Sequence, residues 1–154
     1  MRWTPLARVS GNSMRPTLRP GDLVVTRPAG WGVRSGRVVV LTHPDPTGRP
    51  RRYAKRVAAV AGDTVEMAAG RVSVNGVARD PGTAPEASYR ATWTVPAGHV
   101  WVLGDNRAAS SDSRVWERPF VPLDELEGVL VGPAIRRRVP GGRPGRRARR
   151  GSRR

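Results

Sequence analysis

Short apolar runs rich in β-branched residues alternate with turn-forming residues along the chain. These runs occupy 23–26, 37–41, 52–60, 71–74 and 100–103. Short runs of this kind, bounded by Gly, Pro, Asn and Asp, are typical of β-strands. The 18 glycines and 15 prolines also favour a turn-rich fold over a helical bundle. The pattern therefore predicts a mainly β protein.

Local signals refine this prediction. Asn75-Gly76 lies between alternating valines and is a strong hairpin signal, because both central residues of that turn take positive φ. The best helical signal is a short turn over 122–127, which opens with Pro122 and is acidic at its start. The segment of about 67–99 is richer in Ala, Gly, Pro and Thr than its flanks, and we expect it to form a small inserted lobe.

Charge divides the chain into a body and a tail. The formal net charge is +16, from 28 Lys and Arg against 12 Asp and Glu. Residues 136–154 hold ten of the arginines and no acid. Their Gly, Pro and Ser content leaves little apolar area to bury. We therefore expect a folded domain over 1–135 and a disordered, Arg-rich tail over 136–154.

Several kinds of site are excluded by composition. The chain has no cysteine, which removes disulfides, thiolate nucleophiles and cysteine-ligated metals. With only His43 and His99, a three-histidine metal site is also excluded. The longest apolar runs fall far short of the roughly 20 residues that a membrane-spanning helix needs, and residues 1–9 lack the apolar stretch of an export signal. We expect no metal, no cofactor and no spanning segment in this chain.

One basic residue stands apart, because the chain has 27 arginines and a single lysine, Lys55. Arg keeps its proton in proteins, whereas burial can lower the pKa of a lysine until it can act as a base. GC-rich coding would also make lysine scarce, so the count alone does not assign a role to Lys55. Its structural surroundings decide between the two explanations. If strand alternation buries Tyr53 and Val57, Lys55 lies on the same apolar face; otherwise it is a solvated strand lysine.

Two polar segments could supply partners for Lys55. Ser13 lies in a turn of small residues, where Gly11 permits unusual backbone angles and Pro16 stiffens the exit; an ordinary Ser/Asn turn has the same composition. The loop 104–114 follows an apolar run and is dense in hydroxyls and opposite charges. Such a loop is either a solvated turn or a polar network beside a site. Each segment alone leaves both alternatives open.

Together these segments resemble the type I signal peptidases, which are serine endopeptidases with a Ser/Lys dyad. The resemblance covers about residues 9–135. The matching motifs are Gly11-x-Ser13-Met14-x-Pro16-Thr17-Leu18 with Gly21-Asp22, Lys55-Arg56-Val57 with Gly62-Asp63, Gly104-Asp105-Asn106-Arg107, and Ser110-x-Asp112-Ser113-Arg114. The resemblance implies that 1–135 is an antiparallel, barrel-like β-sheet catalytic domain.

The resemblance also implies roles for individual residues. Ser13 would be the nucleophile and Lys55 the neutral general base, with Ser110 orienting the amine. An oxyanion hole would use the Ser13 backbone N–H; some relatives add a hydroxyl two residues earlier, where this chain has Gly11. The remaining residues would support the site: Met14 as a wall of the substrate groove, Asp112 and Arg114 as an ion pair that shapes the loop, and Asp105, Asn106 and Arg107 as its scaffold.

The implied substrates are exported precursor proteins that carry signal peptides, cut after small residues and bound in extended form beside a strand. The family also implies membrane association, although members usually carry spans before the nucleophile and only twelve residues precede Ser13. The Arg-rich tail could contact an anionic membrane peripherally, bind nucleic acid nonspecifically or stay solvated. We expect a monomer without a nucleic-acid partner.

Three other hypotheses stay open. A Ser-His-Asp triad could use His43 or His99, but both lie in turn-like stretches outside any motif. A maturation protease for one substrate, of the nickel superoxide dismutase maturation type, looks similar, although such an enzyme could omit the segment 67–99. A basic nucleic-acid binder, related to self-cleaving SOS repressors, would need a helix-turn-helix pattern, which we do not find.

Overall fold

Eleven strands and two single-turn 3₁₀-helices form the described part of the chain. This computed structural model describes residues 4–30, 32–79 and 90–136. The strands are β1 (Thr4–Arg8), β2 (Leu23–Arg27), β3 (Val38–Pro44), β4 (Pro50–Val60), β5 (Thr64–Ala68), β6 (Arg71–Val74), β7 (Val77–Ala78), β8 (Arg90–Thr94), β9 (His99–Leu103), β10 (Val121–Pro122) and β11 (Leu126–Leu130). The 3₁₀-helices are Arg107–Ala109 and Leu123–Glu125.

The strands form two antiparallel sheets. The larger has seven strands in the order β1-β2-β11-β3-β4-β9-β10, and the smaller has four in the order β7-β6-β5-β8. Strand β4 is the longest, with 11 residues. It pairs with β3 from Pro50 to Arg56 and with β9 from Arg56 to Val60. The prediction of a mainly antiparallel β protein is confirmed.

Turn chemistry explains the small sheet. Asn75 and Gly76 have φ of 51° and 77°, so they form the predicted hairpin between β6 and β7. Ala69 and Gly70 also have positive φ, 50° and 74°, and join β5 to β6. The small sheet lies within 64–94, which overlaps the expected lobe of about 67–99. The division into a catalytic domain and an inserted lobe stays a prediction.

Strand β9 is shared by two apolar clusters. Its residues Trp101 and Leu103 pack with the small sheet in a cluster that includes Val65 and Val72. On the opposite face, Val100 and Val102 pack in a second cluster with strands of the large sheet. Because successive side chains of a strand point to opposite faces, β9 joins the two sheets through one backbone.

Some predictions fall at or beyond the described boundaries. The expected helical turn over 122–127 is shorter, since Leu123–Glu125 forms a single 3₁₀ turn and β11 begins at Leu126. The expected disordered tail lies almost entirely outside the described residues. Within the part of the chain that the structure describes, none of the helices has the length and apolar character needed to cross a membrane.

Candidate active site

Lys55 is buried in the large sheet. Only 1% of its surface is exposed, and Val57 on the same face of β4 is fully buried. The Tyr53 ring lies 5.6 Å from Lys55 Nζ. Burial lowers the pKa of Lys55 from 10.5 to about 8; the charge of Asp112 opposes this fall and that of Arg114 adds to it. With a pKa of about 8, about one Lys55 amine in ten is neutral at pH 7, far more than for a lysine with the ordinary value.

Ser110 and Asp112 hold the Lys55 amine in place. Lys55 Nζ donates to Ser110 Oγ at 2.9 Å, and Ser110 Oγ donates to Asp112 Oδ2 at 2.7 Å. The Asp112 carboxylate is fully buried. It also accepts hydrogen bonds from the Gly104 N–H at 2.9 Å and from Arg114 Nε at 2.8 Å. An ionised carboxylate can only accept hydrogen bonds. Ser110 therefore donates to Asp112, and its oxygen accepts the hydrogen bond from Lys55.

Arg114 and Arg107 fasten the loop around this network. Arg114 Nη2 donates to the carbonyl oxygens of Arg107 and Ser110 at 2.9 and 3.2 Å, while its Nε bonds Asp112. Arg107 donates to the Gly104 carbonyl and, at 2.7 Å, to that of Arg79. These bonds pair backbone carbonyls of the loop and of the segment at Arg79 with two guanidinium groups. The loop 104–114 is therefore a polar network packed against a site and not a solvated turn.

Ser13 lies in a tight turn that is held by Asn106. The Asn106 N–H donates to the Ser13 carbonyl at 2.9 Å, and its side-chain amide donates to the Asn12 carbonyl at 3.1 Å. Gly11 has a φ of 113°, which a residue with a Cβ adopts with strain. Met14, only 2% exposed, anchors the turn in an apolar cluster. The Ser13 N–H has no acceptor among the described residues.

A groove of about 400 Å³ brings the turn and the strand together. Ser13 and Lys55 both line it, together with Gly11 and Met14 from the turn. Its other walls come mainly from the end of β1 and the first half of β4, with single residues of β2, β3 and the turn after β3, and two residues of the loop 104–114. Ser13 is half-buried. Among the described side chains the Ser13 hydroxyl has no hydrogen-bond partner, and Ser13 lines the same groove as Lys55.

Asp105 ties the turn to β4 from outside the groove. Its carboxylate accepts two hydrogen bonds from Arg56, at 2.8 and 2.7 Å, and one from the Thr17 hydroxyl at 2.5 Å. The hydrogen bonds from Arg56 and Thr17 outweigh burial and hold the pKa of Asp105 below its ordinary value. This three-residue contact was not expected from the motifs, although each residue belongs to one.

Neither histidine lies in a turn, so that prediction was wrong. His43 belongs to β3, which continues beyond the apolar run to Pro44, and His99 is the first residue of β9. His43 is 2% exposed, its Nδ1 lies 2.8 Å from Glu125 Oε2, and its ring stacks on Trp116 at 4.3 Å. Neither ring lines the groove. A triad through Ser13 and a histidine has no geometric support.

Trp116 belongs to the site's surroundings and was missed by the sequence analysis. Its indole N–H donates to Ser111 Oγ at 3.0 Å, and its ring lies 5.3 Å from that of Tyr53. It therefore connects His43 to the side of the groove that Tyr53 and Ser111 line. No periodic pattern marks the segment around Trp116, so only the folded structure reveals this contact.

Comparisons with known proteins identify the family of this chain. The profile of the family described as "Signal peptidase, peptidase S26" matches residues 1–134. Signal peptidase I of Pseudomonas aeruginosa is 32% identical over 83% of this chain and 62% of its own length. Signal peptidase IB of Staphylococcus aureus is 33% identical over 79% of this chain and 73% of its own length. The chain thus spans about three-fifths of the Pseudomonas relative.

A solved structure is similar as well. The crystal structure of a signal peptidase I from Enterococcus faecalis aligns with a TM-score of 0.50 and 29% identity, covering 65% of this chain and 97% of that one. The profile spans nearly all of the described residues, and the relatives agree with it in both sequence and fold. The chain belongs to the signal peptidase, peptidase S26, family.

Proposed function

We propose that this chain is a serine endopeptidase of the signal peptidase I type, which cleaves signal peptides from exported precursors with a Ser13/Lys55 dyad. The observation that carries the proposal is the buried Lys55 amine, which is bonded to Ser110 and faces the same groove as Ser13. Family membership supports it. The relatives favour this function over a maturation protease for a single substrate and over a nucleic-acid binder.

The hydrogen-bond directions suit a general base. Ser110 Oγ donates a hydrogen bond to Asp112, so its oxygen accepts a hydrogen bond from Lys55 Nζ. A neutral amine that uses one N–H in this way keeps its lone pair free for a second contact. Ser13 Oγ attacks the scissile carbonyl carbon while its proton passes to Lys55 Nζ. When the C–N bond breaks, Lys55 returns that proton to the leaving amine.

Water completes the reaction. Lys55 takes a proton from a water molecule, whose oxygen attacks the acyl-serine ester, and the Ser13 hydroxyl is regenerated with that proton. The Ser13 N–H supports the negative oxygen of each tetrahedral intermediate. Asn106 acts as a positioning residue, because it donates hydrogen bonds to the carbonyl oxygens of Asn12 and Ser13, which lie on either side of that N–H. Asp112, Arg114, Asp105 and Arg107 are assigned to the same supporting role.

The open edge of β4 is the proposed peptide site. Residues 50–55 pair with β3 on one side only among the described strands, because β9 begins its pairing at Arg56. This unpaired edge runs along the groove. An extended peptide can add its backbone hydrogen bonds there, while Met14 and Tyr53 limit the size of its side chains. We propose that the protein works at a membrane surface as a monomer, with its Arg-rich tail near anionic lipid.

Two substitutions test the dyad directly. Ser13→Ala and Lys55→Arg should each lower kcat/KM for a peptide with alanine one and three positions before the bond by at least about 1,000-fold. Lys55→Arg is the sharper test, since Arg keeps the charge but does not release its proton. Ser73→Ala, in the small sheet away from the groove, is the matched control. Thermal unfolding checks that each variant is folded, and full activity of Lys55→Arg would refute the dyad.

A further inference from the structure

The charged side chains that line the groove are all cationic. Arg8, Arg51, Arg52 and Lys55 line it, and no Asp or Glu does so among the described residues. Two of these four are already engaged. Arg52 forms an ion pair with Glu127 at 2.5 Å, and Lys55 is bonded to Ser110.

Arg8 and Arg51 are the two that remain. Both are exposed, and neither forms an ion pair with a carboxylate in the described part of the chain. Asp45 lies in the turn before Arg51, but its carboxylate accepts hydrogen bonds from the Thr47 hydroxyl and from the Thr47 and Arg49 N–H groups. The pKa of Asp45 is lowered mainly by the Thr47 hydroxyl and in smaller part by the charge of Arg51, so a nearby carboxylate partly offsets Arg51 without forming an ion pair with it. Arg8 and Arg51 therefore present exposed cationic groups to the groove.

The position of Arg51 is fixed by the strand that would hold a peptide. It lies in the half of β4 whose edge is open, and its guanidinium sits 5.9 Å from the centre of the Tyr53 ring. Arg8 is the last residue of β1, and three strands lie between β1 and β4 in the sheet order. The two charges thus flank the same groove from different strands. Because both arginines line one concave groove, an extended peptide bound there can reach either charge.

We propose that Arg8 and Arg51 are specificity-determining residues that favour precursors with an acidic side chain within a few residues of the cleaved bond. This inference rests on the proposed function. A Glu in the peptide gains an ion pair with one of the arginines, and a Lys at that position is repelled. An exposed pair is worth up to about a fivefold change in affinity, and salt screens it. The preference therefore appears in KM, because neither arginine touches the reacting atoms.

Matched peptides test the proposal. An alanine-containing substrate is made with Gln, Glu or Lys at each flanking position in turn, and kcat and KM are measured at low and high salt. At one or more positions the Glu peptide should have a KM several-fold below that of the Lys peptide. The difference should shrink at high salt, and Arg8→Gln or Arg51→Gln should reduce it. Arg71→Gln, an exposed arginine of the small sheet, should leave it unchanged.

The failure of this inference is distinct from the failure of the proposed function. If the neutral Gln peptide is not cleaved, the peptidase assignment falls and this inference with it. If the Gln peptide is cleaved and charge has no effect at any position, the inference alone is overturned. The inference alone is also overturned if Arg8→Gln and Arg51→Gln both lose binding to phosphatidylglycerol vesicles while their peptide selectivity is unchanged. The two arginines would then bind lipid and not the substrate peptide.

Discussion

The charge on Lys55 should make the stability of the protein depend on pH in a predictable direction. Folding lowers the pKa of this lysine from 10.5 to about 8 through burial. The unfolded chain therefore binds more protons between these values, and stability rises with pH. At pH 7 the charged amine costs the fold about 3 kcal/mol. Between about pH 7 and about pH 9.5, linkage predicts that about 2 kcal/mol of this cost is relieved.

Lys55→Met removes this titrating group, so the pH dependence of the difference between the two proteins reports the contribution of Lys55. Urea titrations at intervals across this pH window give the free energy of unfolding of each protein. The wild-type value should rise by about 2 kcal/mol relative to the variant. A difference that stays constant within about 0.5 kcal/mol, or that falls with pH, would refute a lowered pKa. Because the chain has one lysine, a ¹³C-lysine label gives a single side-chain signal that reports the same pKa directly.

Three further predictions concern packing and backbone geometry. Gly104→Ala should lower the free energy of unfolding, measured in urea, by about 1–3 kcal/mol, because a Cβ there overlaps Ser110 Oγ. Gly30→Ala is the control, since a Cβ at that position meets nothing within 4 Å. Equal losses in the two variants would count against the reasoning. Asp112→Asn should cost about 3–5 kcal/mol by the same measurement, since it leaves Arg114 without its carboxylate; a loss below about 1 kcal/mol contradicts that role. Ala69→Gly should raise the Tm, because Ala69 has a φ of 50° and glycine relieves that strain; an unchanged or lower Tm would show that the turn is not strained.

The strands that the sequence predicted are those with the strongest local signals. The run 71–74 matches β6, and the runs 52–60 and 100–103 match β4 and β9 within two residues. Asn75-Gly76 gave its hairpin because the conformation it needs is set by those two residues alone. The hairpin at Ala69 and Gly70 was not predicted, since alanine is disfavoured at positive φ and only the pairing of β5 with β6 imposes it there.

Long-range pairing was not accessible from the sequence. Strand β11 lies between β2 and β3, although it begins at Leu126, far along the chain from the ends of β2 at Arg27 and of β3 at Pro44. Its segment was predicted to begin as a helical turn. His43 was expected in a turn because Pro44 follows it. The pairing of Pro44 with Pro50 instead extends β3 through the histidine. In both cases a distant strand decides the local conformation.

The candidate site was predictable where residue type limits the chemistry. A single lysine on an alternating strand and a serine in a glycine-containing turn pointed to the groove, and both line it. Their roles as base and nucleophile remain a prediction. The contact of Thr17, Arg56 and Asp105 joins three segments that are far apart in sequence, so spacing alone could not reveal it.

The position of β9 has a consequence for how the molecule unfolds. Its alternate residues complete the apolar clusters of both sheets, so neither sheet can lose β9 without exposing Trp101 or Val102. The two sheets should therefore melt in a single cooperative transition. A shortened variant without the segment 64–94 would uncover a contiguous apolar surface that is prone to aggregation. The segment 64–94 can therefore change in length only if another part of the protein still covers Trp101.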